Sequence, residues 1–115
     1  MAAPGRGRLT AAAVLRDLPE ERLDVTVFGR VQGVGFRWFV LQHAMGLGLR
    51  GWVANQSRGS VRCVAEGPRD RLERLLEHIR EGPGSATVER VSEAWMPATG
   101  TLGPFSVRSG SHSGD

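Results

Sequence analysis

Residues 29–37 read GRVQGVGFR and join a strand pattern to a helix pattern. Before them, residues 23–27 alternate between apolar and polar side chains, which predicts a half-buried strand. After them, apolar residues recur at helical spacing until two glycines stop the pattern; they are Phe36, Phe39, Val40, Ala44 and Leu47. The glycine-rich stretch is therefore predicted to be a tight connection that leads directly into a helix.

The rest of the chain repeats this order of elements. The predicted elements are a strand over 52–55, a hairpin turn over 56–59, a strand over 60–66, a helix with Pro68 as its first residue, and strands over 88–96 and 105–108. Two βαβ halves with a short closing strand are typical of the ferredoxin-like, split βαβ arrangement. We predict an α+β sandwich, in which two helices cover one face of an antiparallel sheet of four to five strands.

The chain has 115 residues, which fits one domain, and we place that domain at residues 21–108. Residues 1–20 are predicted to be a disordered extension. A transit peptide is the alternative for this segment, but acidic residues near its end count against it. The glycines and serines of residues 109–115 predict a flexible tail.

The net charge is +3, and all 15 basic residues are arginines. No run of arginines marks a nucleic-acid surface, so this balance favours a small anionic ligand. No stretch of about 18 apolar residues is present that could cross a membrane. The single cysteine, Cys63, forms no internal disulfide, which favours a cytoplasmic protein.

The glycines of residues 29–37 allow consecutive backbone N–H groups to face one anion at the start of a helix. Arg37, in the first helical turn, adds a forked cationic contact. The glycine spacing excludes a dinucleotide fingerprint, and the absence of lysine excludes a nucleotide P-loop. The alternative is that the glycines form only a tight turn and that Arg37 is a solvated surface residue.

Asn55 lies within residues 51–61, GWVANQSRGSV, where a strand enters its hairpin. An asparagine there has a structural explanation, because its side chain favours turns. Its neutral amide can also donate and accept hydrogen bonds, which suits the orientation of a water molecule.

Residues 29–37 and 51–61 resemble the two signature motifs of the acylphosphatases, and the resemblance extends over about residues 21–108. It implies hydrolysis of a carboxyl–phosphate mixed anhydride without a metal or cofactor. By this resemblance Arg37 and Asn55 are the catalytic residues, with Asn55 positioning the attacking water. The implied phosphate-binding loop consists of Gln32, Gly33, Val34, Gly35, Phe36 and Arg37.

The partners expected from this resemblance are a small acyl phosphate as substrate and inorganic phosphate as product and competitive ligand. We expect a cytoplasmic monomer that binds neither nucleic acid nor a membrane. Three alternatives remain open at this point. They are an acylphosphatase-like domain of a hydrogenase-maturation carbamoyltransferase, a catalytically silent domain, and an RNA-binding domain, since residues 35–40 faintly resemble an RNP1 motif.

Other reactive side chains have simpler explanations. His43 and His78 lie on predicted helices without a recognisable triad and are predicted to be surface residues. Cys63 falls on the apolar face of a strand and is predicted to be a small core residue. The three tryptophans, Trp38, Trp52 and Trp95, are predicted to pack at the edge of the core.

Overall fold

A computed structural model describes residues 19–109, so nearly all of the predicted extension and tail lies outside the described residues. The elements are β1 (Glu20–Arg30), α1 (Phe36–Gly46), β2 (Arg50–Asn55), β3 (Val61–Pro68), α2 (Arg69–Glu81), β4 (Thr87–Pro97) and β5 (Ser106–Arg108), with a single 3-10 turn at Ser57–Gly59 between β2 and β3. This order confirms the predicted sequence of strands and helices.

The five strands form one sheet in the order β4-β1-β3-β2-β5. β1 lies between its antiparallel partners β3 and β4, and β2 pairs antiparallel with β3 through the predicted hairpin. Successive side chains of a strand point to opposite faces. Leu23, Val25 and Val27 of β1 are accordingly buried on one face, together with Cys63 of β3. Both helices pack on this face, so the predicted α+β sandwich is confirmed.

One strand pair differs from the prediction of an antiparallel sheet, because β5 runs parallel to β2. β4 lies at one edge of the sheet and β5 at the other, so the chain must cross the sheet between them. β2 runs parallel to β1, whereas β4 runs antiparallel to β1. The chain reverses once after β4, and β5 therefore enters alongside β2 in the same direction.

Pro68 was predicted to be the first residue of the second helix, and this detail is wrong. Its φ of −63° and ψ of 144° are extended, and it remains in β3 opposite Glu20 of β1. α2 begins one residue later, at Arg69. The ring of Pro68 fixes φ but leaves ψ free, and sheet pairing selects the extended value.

Gly29 marks the point where β1 leaves regular pairing. Its φ is 134°, and a Cβ atom there would lie 2.2 Å from the carbonyl oxygen of Thr87. The register between β1 and β4 shifts between Phe28 and Gly29. Only glycine allows this close approach of the two backbones, which turns the chain toward the loop before α1.

The core confirms the assignment of Cys63 and corrects that of the histidines. Cys63 is buried, and burial raises the pKa of its thiol. His43 and His78 are partly buried rather than surface residues, and their rings stack at 3.7 Å between the helices. Burial, followed by the charge of His78, lowers the pKa of His43. No helix within residues 19–109 is long and apolar enough to span a bilayer.

Candidate active site

The connection between β1 and α1 turns at two glycines in the left-handed region. Gly33 has a φ of 73° and Gly35 a φ of 80°. Gly35 is the N-cap of α1, and no side chain caps the helix. The first turn of α1 contains no acidic residue, so no carboxylate of that turn offsets the positive end of the helix dipole. These features suit a bound anion.

A cavity of about 330 Å³ opens beside this helix start. Its lining residues are Val31, Gly33, Gly35, Phe36, Arg37, Trp38, Leu41, Asn55 and Val107. They come from the loop, α1, β2 and β5, so the fold brings Arg37 and Asn55 to one place. Within the described part of the chain, this lining contains one cation and no carboxylate.

Arg37 is half-buried and is oriented by the last residue of β5. Its Nη1 donates a hydrogen bond of 2.8 Å to the backbone oxygen of Arg108. β5 is in turn held by its parallel pairing with β2, in which Arg108 lies opposite Ala54. The guanidinium is therefore held by β5, a strand of only three residues that has no clear sequence pattern.

Trp52 of β2 supports the same strand from the other face of the sheet. The guanidinium of Arg108 lies 4.7 Å from the centre of its ring, and that of Arg62 lies 5.4 Å away. Both distances suit a cation–π contact. Arg62 is held by a forked pair of hydrogen bonds to Asp24, of 2.9 and 2.7 Å. Trp52 thus helps to keep β5 in place beside the site.

Asn55 is the last residue of β2, and its side chain is 4% exposed. The hairpin that follows it is tied to the glycine loop by Gln32. The Nε2 atom of Gln32 donates to the backbone oxygens of Gln56 and Ser60, at 2.7 and 2.8 Å. This brace fixes the loop that precedes Arg37 against the strand end that carries Asn55.

Two residues of the predicted phosphate-binding loop are not among those that line the cavity. Gln32 turns its side chain to the hairpin, and the backbone oxygen of Val34 accepts a hydrogen bond of 2.8 Å from Ser85. Gly33, Gly35, Phe36 and Arg37 do line it. The side chain of Gln32 and the backbone oxygen of Val34 therefore shape the loop.

A family model described as Acylphosphatase matches residues 23–107, which is most of the chain. The chain belongs to the acylphosphatase family. This confirms the resemblance seen in the two motifs. An acylphosphatase hydrolyses an acyl phosphate to a carboxylate and phosphate, and this chain is an enzyme of that class.

Individual relatives agree with the family match. The acylphosphatase of Salinibacter ruber is 49% identical over 89 residues, which cover 77% of this chain and 94% of that protein. The crystal structure of acylphosphatase from Bacillus subtilis matches with a TM-score of 0.74 and 35% identity, over 76% of this chain and 98% of that one.

The structure of HypF from T. kodakarensis matches with a TM-score of 0.67 and 31% identity, over 77% of this chain but 12% of that chain. The acylphosphatase-like unit is therefore also found as a small part of a larger protein. The RNA-binding alternative meets a structural difficulty, because residues 35–40 lie at the start of α1 rather than on a strand.

Glu66 of β3 is the site-supporting residue that sequence reasoning missed. Its side chain is fully buried, yet it is charged and paired. Oε2 accepts hydrogen bonds from Nε of Arg22 at 2.7 Å and from the backbone of Thr99 at 2.9 Å. Oε1 accepts from the backbone of Gly100 at 3.0 Å, and Arg50 lies 3.8 Å away. Glu66 thereby fixes the segment that carries the chain from β4 to β5.

These contacts determine the ionisation of Glu66. Burial alone would raise the pKa of its carboxyl, but the N–H of Thr99, the guanidinium of Arg22 and the N–H of Gly100 together outweigh it. The pKa falls from 4.5 to about 2. Because the folded pKa is lower than the unfolded one, Glu66 stabilises the fold above pH 4.5. This contribution is lost as the pH falls from 4.5 to about 2.

Glu66→Gln is expected to lower the free energy of unfolding by about 3 kcal/mol near pH 7, because Arg22 loses its charged partner and the amide N–H₂, in place of one carboxylate oxygen, meets the backbone N–H of Thr99 or of Gly100. Urea unfolding from pH 2 to 7 measures this. The parent should lose stability below pH 4.5, and the variant should lose much less there. The exposed Glu77→Gln serves as control. Equal pH profiles for parent and Glu66→Gln would contradict the assignment.

Proposed function

We propose that the cavity between α1, β2 and β5 is the catalytic site, with the phosphoryl group held by the glycine loop and Arg37 and the attacking water held by Asn55. The observation that carries the proposal is the shared lining: a cation, a neutral amide and a helix N-terminus face one space, and no carboxylate is among the described residues that line it. A site of this charge favours a phosphoryl group over a neutral ligand.

The chemistry divides between these groups as follows. The water oxygen attacks phosphorus, and the bond between phosphorus and the acyl oxygen breaks, with its electron pair leaving on the carboxylate. The water proton passes to a phosphoryl oxygen, so no protein base is required. The carboxylate is a good leaving group, so no strong protein acid is required either. Arg37 and the loop N–H groups stabilise the negative charge, and catalysis consists of positioning and electrostatics.

Asn55 suits the water because its amide is neutral. An amide both donates and accepts hydrogen bonds, so it can orient a water without carrying a charge that would repel the substrate dianion. Its burial at 4% exposure and the brace from Gln32 limit its motion. A fixed amide holds the water in line with the bond that breaks.

The enzyme is proposed to act as a cytoplasmic monomer on a small acyl phosphate, without nucleic acid, metal or cofactor. Several arginines outside the site pair with carboxylates; these ion pairs join Arg22 to Glu66, Arg50 to Glu20, Arg62 to Asp24, Arg69 to Glu21 and Arg80 to Glu93. The buried thiol of Cys63 is consistent with the cytoplasm.

Inorganic phosphate is expected to inhibit competitively and to raise the melting temperature of the protein. At ten times its Kd, phosphate adds about 1.4 kcal/mol to the free energy of unfolding by mass action. Scanning fluorimetry and inhibition of acyl phosphate hydrolysis measure the two effects, with chloride at matched ionic strength as control. Unchanged melting temperature and unchanged amide NMR shifts of residues 33–37 in saturating phosphate would contradict the proposal.

A further inference from the structure

Three large apolar side chains are exposed within the described residues. Trp38 is 61% exposed, Met45 63% and Val107 39%. Trp38 and Val107 line the same cavity as Arg37. The prediction that Trp38 packs at the edge of the core is therefore wrong, and its exposure needs another explanation.

The helix places Met45 in line with these residues. Trp38, Leu41 and Met45 follow one another at spacings of three and four along α1, so they share one face. Seven residues of helix span about 10.5 Å. Long side chains in a helix lean toward its N-terminus, which here is the end beside the cavity. The apolar face thus begins at the phosphate cradle and extends away from it by about two turns.

The lining of the cavity combines polar and apolar side chains. Arg37 and Asn55 are polar, and Val31, Trp38, Leu41 and Val107 are apolar. An acyl phosphate has the same two parts, since a charged phosphoryl group is joined to an acyl group. With the phosphoryl held at the N-terminus of α1, the apolar lining side chains remain to contact the acyl group.

We propose that Trp38, Leu41 and Val107, continued by Met45, form an acyl groove that selects substrates with extended apolar acyl groups. This rests on the proposed function, because the phosphoryl must lie at Arg37 for the acyl group to reach the groove. The groove contains no cation or carboxylate besides Arg37 among the described lining residues, so it disfavours charged acyl groups. Aliphatic and aromatic acyl groups are the class it fits.

A series of straight-chain acyl phosphates from acetyl to octanoyl tests the groove. These substrates share nearly the same leaving-group acidity, so the chemical step stays constant while apolar length changes. Each methylene that enters the groove is expected to raise kcat/KM by about twofold to fourfold. The change should fall mainly on KM, because the contact is equal in the ground and transition states. All substrates are used below the concentrations at which they form micelles.

Three variants locate the effect. The increase of kcat/KM with chain length is measured within each variant as the ratio of kcat/KM for hexanoyl phosphate to that for acetyl phosphate. Trp38→Ala is expected to abolish most of this increase. In Met45→Ala, kcat/KM should still increase over the short acyl chains but should stop increasing at a shorter chain length than in the parent, since the variant lacks the far end of the groove. Trp95→Ala, a matched tryptophan on β4 outside the cavity, should keep the parent ratio.

Several results would overturn the proposal of an acyl groove. A flat series in the parent, with acetyl phosphate hydrolysed and phosphate inhibiting, would remove the groove and leave the proposed function intact. No hydrolysis and no phosphate binding would remove both. Loss of the ratio in Trp95→Ala as well as Trp38→Ala would show that the effect does not belong to this face. A flat series with a parent dimer that Trp38→Ala dissociates in analytical ultracentrifugation would make the face a contact between two copies.

Discussion

Arg37→Ala is expected to lower kcat/KM for a simple acyl phosphate by about a hundredfold or more. The guanidinium is the one cation among the described residues that line the cavity, so alanine removes its only side-chain charge. It also removes a planar donor whose direction is set by the 2.8 Å hydrogen bond to the backbone oxygen of Arg108. Continuous ultraviolet assay of an aryl acyl phosphate measures the loss.

The lysine variant separates charge from geometry. Arg37→Lys keeps the charge but replaces a fork by a single ammonium, which cannot hold two phosphoryl oxygens and the Arg108 carbonyl in the same way. It is expected to recover little activity. Arg74→Ala, an exposed arginine on α2, is the matched control and should keep parent activity. A lysine variant close to the parent would show that charge alone is sufficient and that the forked contact is not needed.

Asn55→Ala is expected to lower kcat by about a hundredfold or more while phosphate binds almost as tightly as in the parent. The reason is that the amide acts on the attacking water and not on the phosphoryl group. Losing such a contact lowers kcat and kcat/KM together and leaves KM little changed. Steady-state kinetics and a phosphate titration by fluorimetry measure the two sides of this prediction.

Stability measurements separate this role from a purely structural one. If Asn55 only shapes the hairpin, alanine should cost about 1 kcal/mol of stability, with activity per folded molecule retained. Asn55→Asp keeps the turn preference but places a negative charge beside an incoming dianion, so it should fold well and work poorly. A stably folded Asn55→Ala with full activity would remove Asn55 from the mechanism.

The parts of the fold with strong local patterns were predictable from sequence. Alternation at 23–27, the stripe of α2 and the glycines at 33 and 35 each determine their own element, and the structure has them in place. The two motifs also indicated that Arg37 and Asn55 belong together. Their common cavity agrees with that pairing, while their catalytic roles stay predictions.

The remaining features depend on partners distant in sequence. β5 has three residues and no readable period, so neither its parallel direction nor its hold on Arg37 was visible. The partner of Arg37 is a backbone oxygen, and because every residue has one, the sequence does not indicate which residue supplies it. Glu66 binds Thr99 and Gly100, which lie 33 and 34 positions further along the chain. The two stacked histidines lie on different helices. Only tertiary structure brings these groups together.

The hydrogen bond from Arg37 to Arg108 joins residues 71 positions apart. During synthesis, a ribosome releases the glycine loop and α1 long before it releases β5. A growing chain that has not yet delivered Arg108 can form the hairpin of β2 and β3, but its guanidinium lacks the carbonyl that orients it. Contacts of such long sequence separation also slow folding, because the loop between them must close first. Catalytic competence should therefore be among the last properties that a newly made molecule acquires.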